Sequence, residues 1–239
     1  MSYTRRSANA RGRGGCITGL LIILLLVGAV VFALGRARNG VGVSVGEHPK
    51  LVMLNCRSSI LIQQGQPGQI VFFSVLPLYA QDPVRDIIEL NSCDGITVLV
   101  PPHTDLQVRS SDAITVLGVR GSMDLNTNGS RISLIQSTLE GKSTIDNNGG
   151  LTTFSGSLAP ESSSTFDCNS GALDIALPSS AAFHLVVSGN LGALASDFPG
   201  ASPALLSTNQ GKTDIGQPSS GATLNLDLNS TSVSLHTDG

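Results

Sequence analysis

The sequence predicts an all-β domain, a single-chain β-solenoid of stacked coils of about 20 residues, preceded by one transmembrane α-helix. Three observations lead there: an uncharged apolar run near the start, a composition suited to short strands and tight turns, and a pattern recurring at a nearly constant step.

The apolar run is ITGLLIILLLVGAVVFAL, residues 17–34. At about 1.5 Å rise per residue, a helix of this length nearly spans the hydrocarbon core. Arg5, Arg6, Arg11 and Arg13 precede it, and Arg36 and Arg38 follow. The positive-inside bias puts residues 1–16 in the cytoplasm as a basic tail, in a single-pass protein of the cell membrane. Residues 35–44 then form a linker, and residues 45–239 an extracytoplasmic domain. A cleaved signal peptide competes, with the small residues Val31 and Ala33 spaced for processing, but the run exceeds the usual h-region. Cys16, at the inner membrane edge, is not in a lipoprotein cleavage pattern.

Composition narrows the outer domain. The chain has no Trp and two Tyr, and 13% of its residues are charged, yet 41% are hydrophobic. That leaves ample Leu, Ile and Val to bury, so the domain is not of a disordered kind. Beyond residue 38, eight cations face 17 acids. An acidic domain argues against nucleic acid as its partner.

The repeat is clearest in LNTNGSRISL. Taking Gly129 as an anchor, apolar or small residues fall four and two positions before it (Leu125, Thr127), and three and five after it (Ile132, Leu134). Anchors at 149, 170, 189, 210 and 230 reproduce the pattern: Ile145, Asn147, Thr152 and Phe154; Phe166, Cys168, Leu173 and Ile175; Leu185, Val187, Gly192 and Leu194; Leu206, Thr208, Thr213 and Ile215; Leu226, Leu228, Val233 and Leu235. Upstream, with one extra residue in the turn, anchors at 56, 92 and 110 select Val52, Leu54, Ile60 and Ile62; Ile88, Leu90, Ile96 and Val98; Leu106, Val108, Ile114 and Val116. Alternation at period two puts each such set on one face of a short strand.

The residue before the anchor is Asn at 55, 91, 128, 148, 169, 209 and 229. Asn tolerates left-handed backbone and bonds within turns, so it suits a corner. In coils stacked about 4.8 Å apart, Asn55, Asn91, Asn128, Asn148, Asn169, Asn209 and Asn229 become a structural ladder of amides. An antiparallel sandwich explains Asn-Gly hairpins, but neither the constant step nor the recurring Asn.

With these residues in view, the outer domain resembles the bacterial putative-adhesin β-solenoid family, membrane proteins of largely unassigned function. The resemblance rests on HPKLVMLNCRSSILIQQG at 48–65, the LNTNG and IDNNG corners, and CNSGALDIALPSSAAFHLVVSGNLGALASDF at 168–198. It implies a fold and a location at the bacterial cell surface, and no catalytic residues. Cys56-Arg57 departs from it, standing where a turn Gly would be more typical.

A search for chemistry yields few candidates and no cofactor. Asp124, Asn126 and Asn128 begin a calcium-loop pattern, but Ile135 stands where the bidentate Glu is required. Glu89, Asp146, Asp167 and Asp227 fall three residues before their anchors, with Asn126 in the coil before Asp146. Asp146 and Asp167, adjacent in the stack, are candidates for a divalent cation or for a raised carboxyl pKa; a solvated acidic edge is the plainer reading. His103, Asp105 and Ser110 lack a nucleophile elbow. Outside the cell Cys56, Cys93 and Cys168 meet an oxidising compartment, and three leaves at least one unpaired in the chain. Cys56 and Cys93 are expected two coils apart, roughly 10 Å and too far to bridge unless residues 63–87 loop out. Cys168 is expected to be buried.

The expected function is a non-enzymatic, adhesin-like one at the envelope, with the lipid bilayer and an envelope protein or glycan as partners. An envelope sensor or accessory subunit of another membrane protein is the second expectation, and a polysaccharide-active enzyme the third.

Overall fold

The computed structural model describes residues 40–74, 78–91, 93–199, 201, 211–216 and 221–238. The expected tail, transmembrane helix and linker up to residue 39 lie outside the described residues, as does Asn209. Among the described residues no helix is long and apolar enough to cross a membrane. Residues 40–239 form one compact unit. Among the described residues it is all-β, with eighteen strands in one open sheet.

One turn of the chain illustrates how the strands arise. β11 (Met123–Thr127) alternates buried and half-buried side chains, and ends at Asn128-Gly129. β12 (Ile132–Leu139) follows, broken by a bulge at Gln136, whose φ is 52°. Gly141 then turns the chain into β13 (Lys142–Asn147), which lies parallel to β11 with Leu125 opposite Ile145. The next strand, β14 (Leu151–Leu158), lies parallel to β12 with Leu134 opposite Phe154. The chain thus returns beside itself after twenty residues. β15 (Ser163–Pro178) continues both faces, with Phe166 against Ile145 and Ile175 against Phe154.

Beyond β15, order in space departs from order in sequence. β18 (Thr223–Asp238) lies parallel to β15, with Phe166 opposite Leu226 and Ile175 opposite Leu235. β16 (Phe183–Ser196) pairs with the far side of β18, Val187 opposite Leu226. The C-terminal strand therefore occupies the place that consecutive stacking assigns to β16. The beginning of the domain behaves alike. β2 (Lys50–Cys56) lies between β6 (Ile87–Leu90) and β8 (Asp105–Ser110), with Leu51 opposite both Ile88 and Leu106. β3 (Ile60–Gln64) lies between β7 (Ile96–Val100) and β9 (Ile114–Leu117). β8 and β9 continue onto β11 and β12, and the short β10 (Arg120–Gly121) onto the end of β12.

This order corrects the expected separation of Cys56 and Cys93. β2 and β6 are direct neighbours, and the two cysteines form a disulfide with their Cα atoms 4.6 Å apart.

Antiparallel strands cover ends of the stack. β4 (Gln69–Phe73) pairs with β7 and with β1 (Val41–Ser44), while β5 (Ala80–Asp82) pairs with β6. At the other end β17 (Gly211–Ile215) pairs with β16. Covering an open strand edge in this way blocks pairing with another chain. Two expectations change here. Residues 41–44 belong to β1 and not to a linker. Of the coil expected around residue 210, Leu206 and Thr208 lie outside the described residues, and Thr213 and Ile215 stand in the antiparallel β17, opposite Leu185 and Phe183.

The core is a set of aliphatic columns with a few Phe. Leu125, Ile145, Phe166 and Leu226 follow one another in register and are fully buried. Phe154 and Phe166 pack with ring centroids 5.8 Å apart. Each strand buries its inner face on its neighbours, at roughly 1.5–3 kcal/mol per large side chain. At β2 the inward pair is Leu51 and Met53 rather than Val52 and Leu54. A bulge between Met53 and Cys56, with Asn55 at φ 57°, takes up the extra residue and reverses the face. At β16, irregular pairing over Asn190–Ala193 leaves Gly192 exposed and puts Leu194 opposite Val233.

Candidate functional site

The asparagines at the corner form a chain of side-chain hydrogen bonds. Asn229 Nδ2 donates to Asn169 Oδ1 at 2.7 Å, Asn169 Nδ2 to Asn148 Oδ1 at 3.0 Å, and Asn148 Nδ2 to Asn128 Oδ1 at 3.2 Å. Asn190 occupies the next position in register beyond Asn229. The left-handed residue at each corner is the one after the Asn: Gly129, Gly149, Ser170 and Ser230 have φ of 88°, 110°, 74° and 57°. Asparagine serves here through its amide, and its neighbour supplies the bend. Asn55 differs, since it is itself left-handed at the β2 bulge.

Two residues before each ladder Asn runs a second column. Arg109, Asn126, Asp146, Asp167, Asp227 and Ser188 lie in register, one per strand. Asn126 Nδ2 donates to Asp146 Oδ2. Partial desolvation on the strand surface, then the like charges of Asp146 and Asp227 on either side, raise the Asp167 carboxyl above its ordinary pKa.

Glu89 does not join this column. It faces Val52, whose other neighbour Gln107 stacks on Asp124. The corner after β8 has three residues where that after β11 has four, so Leu106 aligns with Met123, not Leu125. Asp124 likewise stands apart from Asp146, opposite Thr144. The calcium-loop pattern from Asp124 is drawn out into β11 and β12 around the Gly129 corner. Among the described residues no group of three or more His, Cys, Asp or Glu has an arrangement that holds a metal ion.

The remaining sequence candidates disperse. Ser110 Oγ donates to the carbonyls of Cys56 and Ser58, and Asp105 Oδ1 accepts from the Ser122 amide. His103 Nδ1 lies 3.7 Å from Glu140, and its ring meets His48 edge to face. His184 pairs with Asp214 at 2.6 Å, joining β16 to its covering strand. Cys168 is buried; burial pushes its thiol up to about 11, against a hydrogen bond with Thr152 that lowers it.

One assembly escapes sequence reasoning. A groove of about 420 Å³ is lined by Arg57 and Arg109 with Asn55, Asn126, Asn128, Cys56, Ser110 and Ser111. The two arginines are 52 positions apart in the chain and converge because β2 and β8 are neighbours. The one trace of it in the sequence is Cys56-Arg57 in place of a turn Gly.

No family model and no curated protein matches the chain. Among solved structures, a putative cell adhesion protein from Clostridium sporogenes ATCC 15579 aligns at a TM-score of 0.48 with 10% identity, over 83% of this chain and 98% of that one. That likeness is distant, and the functional reading below is argued from the residues.

Proposed function

We propose that the chain is a membrane-anchored, extracytoplasmic β-solenoid with a non-enzymatic, adhesin-like role at the cell surface. The carrying observation is the continuity of the outward columns, from Arg109 through Asn126 and the three aspartates to Ser188, beside the asparagine ladder. Such a face repeats donors and acceptors at the strand spacing, which suits many small contacts along a polymer or envelope surface. Residues 17–34 are read as the anchor, with the arginines before them held in the cytoplasm.

Intact cells making the full chain test this reading. External protease should remove the domain while the N-terminal tail stays protected, and cells lacking the protein should adhere less to coated surfaces. A protected domain, or unchanged adhesion, contradicts it. Glycan turnover that vanishes in Asp146→Asn or Asp167→Asn would replace it with the enzymatic reading.

A further inference from the structure

We infer that the groove between Arg57 and Arg109 binds the anionic groups of an acidic glycan, with the donor end of the asparagine ladder completing the site. The inference deepens the adhesin-like reading and rests on it for the kind of polymer encountered.

Charge is the first argument. Beyond residue 38 the chain carries eight cations against 17 acids, yet two exposed guanidinium groups share one groove. Among the described residues neither arginine has an ion-pair partner. Two acids of the neighbouring corners are engaged: Asp112 accepts from Ser59 and from the Ala113 amide, and Asp146 accepts from Asn126. Guanidinium groups match the planar oxygens of carboxylate, sulfate and phosphate.

The direction of the ladder is the second argument, independent of charge. Every amide donates toward the lower-numbered Asn, so the chain of bonds ends at Asn128. Asn128 Oδ1 accepts from Asn148, its Nδ2 has no acceptor among the described residues, and the residue lines the groove. Aligned amides polarise one another, which strengthens the final donor. A free donor beside two unpaired guanidinium groups calls for an oxygen-rich anion.

Local structure holds the site in place. The bulge at Asn55 carries the chain to Cys56, opposite Ser110, and the Cys56–Cys93 disulfide ties that corner to the neighbouring coil. The lining offers amide, hydroxyl and guanidinium groups beside apolar surface around Cys56, a mixture that suits the hydroxyls and carbon faces of a sugar chain. The shared chemistry is an oxyanion on sugar, from a uronate carboxylate or a sulfate ester.

The test is calorimetric titration of the detergent-solubilised full-length chain with three probes: oligogalacturonate, a heparin-derived oligosaccharide and a neutral cello-oligosaccharide. Saturable binding to one or both acidic probes and not to the neutral one is expected; their relative affinity tells carboxylate from sulfate. Arg57→Ala and Arg109→Ala should each weaken it about tenfold, as loss of a charge-assisted hydrogen bond does. Asn128→Ala should weaken it less, Lys142→Ala should leave it unchanged, and thermal melts should show each variant folded. Equal binding of the neutral probe, no binding of either acidic probe, or full binding by the folded Arg57→Ala/Arg109→Ala double variant overturns the inference. If that double variant still supports cell adhesion at the wild-type level, the groove reading fails and the adhesive reading stands. If wild-type cells do not adhere while the titration succeeds, the reverse holds.

Discussion

The side-chain amide of Asn229 donates to Asn169 Oδ1 at 2.7 Å, across sixty residues of sequence. The contact exists because the last strand of the domain lies beside β15, in the place consecutive stacking would give to β16. Asn169 also donates to Asn148, so it holds two bonds of the ladder. Asn169→Ala should therefore cost about 1–2 kcal/mol, two modest bonds at an exposed corner. Urea denaturation checks this, with Asn190→Ala as a comparison expected to cost less.

Gly171 adopts φ +103°, and a Cβ there would stand 2.1 Å from the carbonyl oxygen of Gly150 in the corner before β14. Gly171→Ala should destabilise by more than about 2 kcal/mol, through backbone strain and displaced pairing together. Gly95 has φ +57° with nothing within 4 Å of a built Cβ, so Gly95→Ala should cost only about 1 kcal/mol. Thermal denaturation of the two variants separates close approach from left-handedness.

The Cys56–Cys93 bridge closes a separation of 37 residues. Changing both cysteines to Ser should remove about 2–4 kcal/mol, chiefly by freeing the unfolded chain. Chemical denaturation of the double variant, compared with the disulfide-bonded wild type, measures it. Cys168, buried and with its thiol pushed up to about 11, should resist alkylation in the folded state.

Asp167 has its folded-state carboxyl raised by desolvation and by Asp146 and Asp227. A raised carboxyl opposes folding when ionised, so its contribution is most favourable below the ordinary carboxylate pKa and is lost as pH rises through the folded value. Asp167→Asn should therefore raise the urea midpoint at neutral pH. The advantage should shrink as pH falls through the acid range, which a pH series of denaturation curves tests.

How far the sequence can be read depends on what a misalignment does. Leu106 and Val108 face inward whether aligned with Leu125 and Thr127 or, as found, with Met123 and Leu125, because a shift of two keeps the face. A shift of one reverses it, and the bulge at Asn55 does this to β2. Asn128, Asn148, Asn169 and Asn229 are legible because the amide recurs at one place in the pattern; Asn55, at the bulge of β2, stands outside that chain of bonds. The order of coils is not legible, since Phe166, Leu226 and Val187 are interchangeable as inward residues and local pattern cannot tell which pair meets. For the same reason the bridge from Cys56 to Cys93 and the meeting of Arg57 with Arg109 lie beyond sequence spacing. Each depends on β2 entering between β6 and β8.

The stack order sets the ladder, the aspartate column and the donor end at the groove, so it is the most direct thing to measure. In cross-strand nuclear Overhauser spectra of isotope-labelled protein, the backbone of Asp227 should contact both Asp167 and Ser188. Direct contacts between the Asp167 and Ser188 strands, with Asp227 outside the pair, would contradict it.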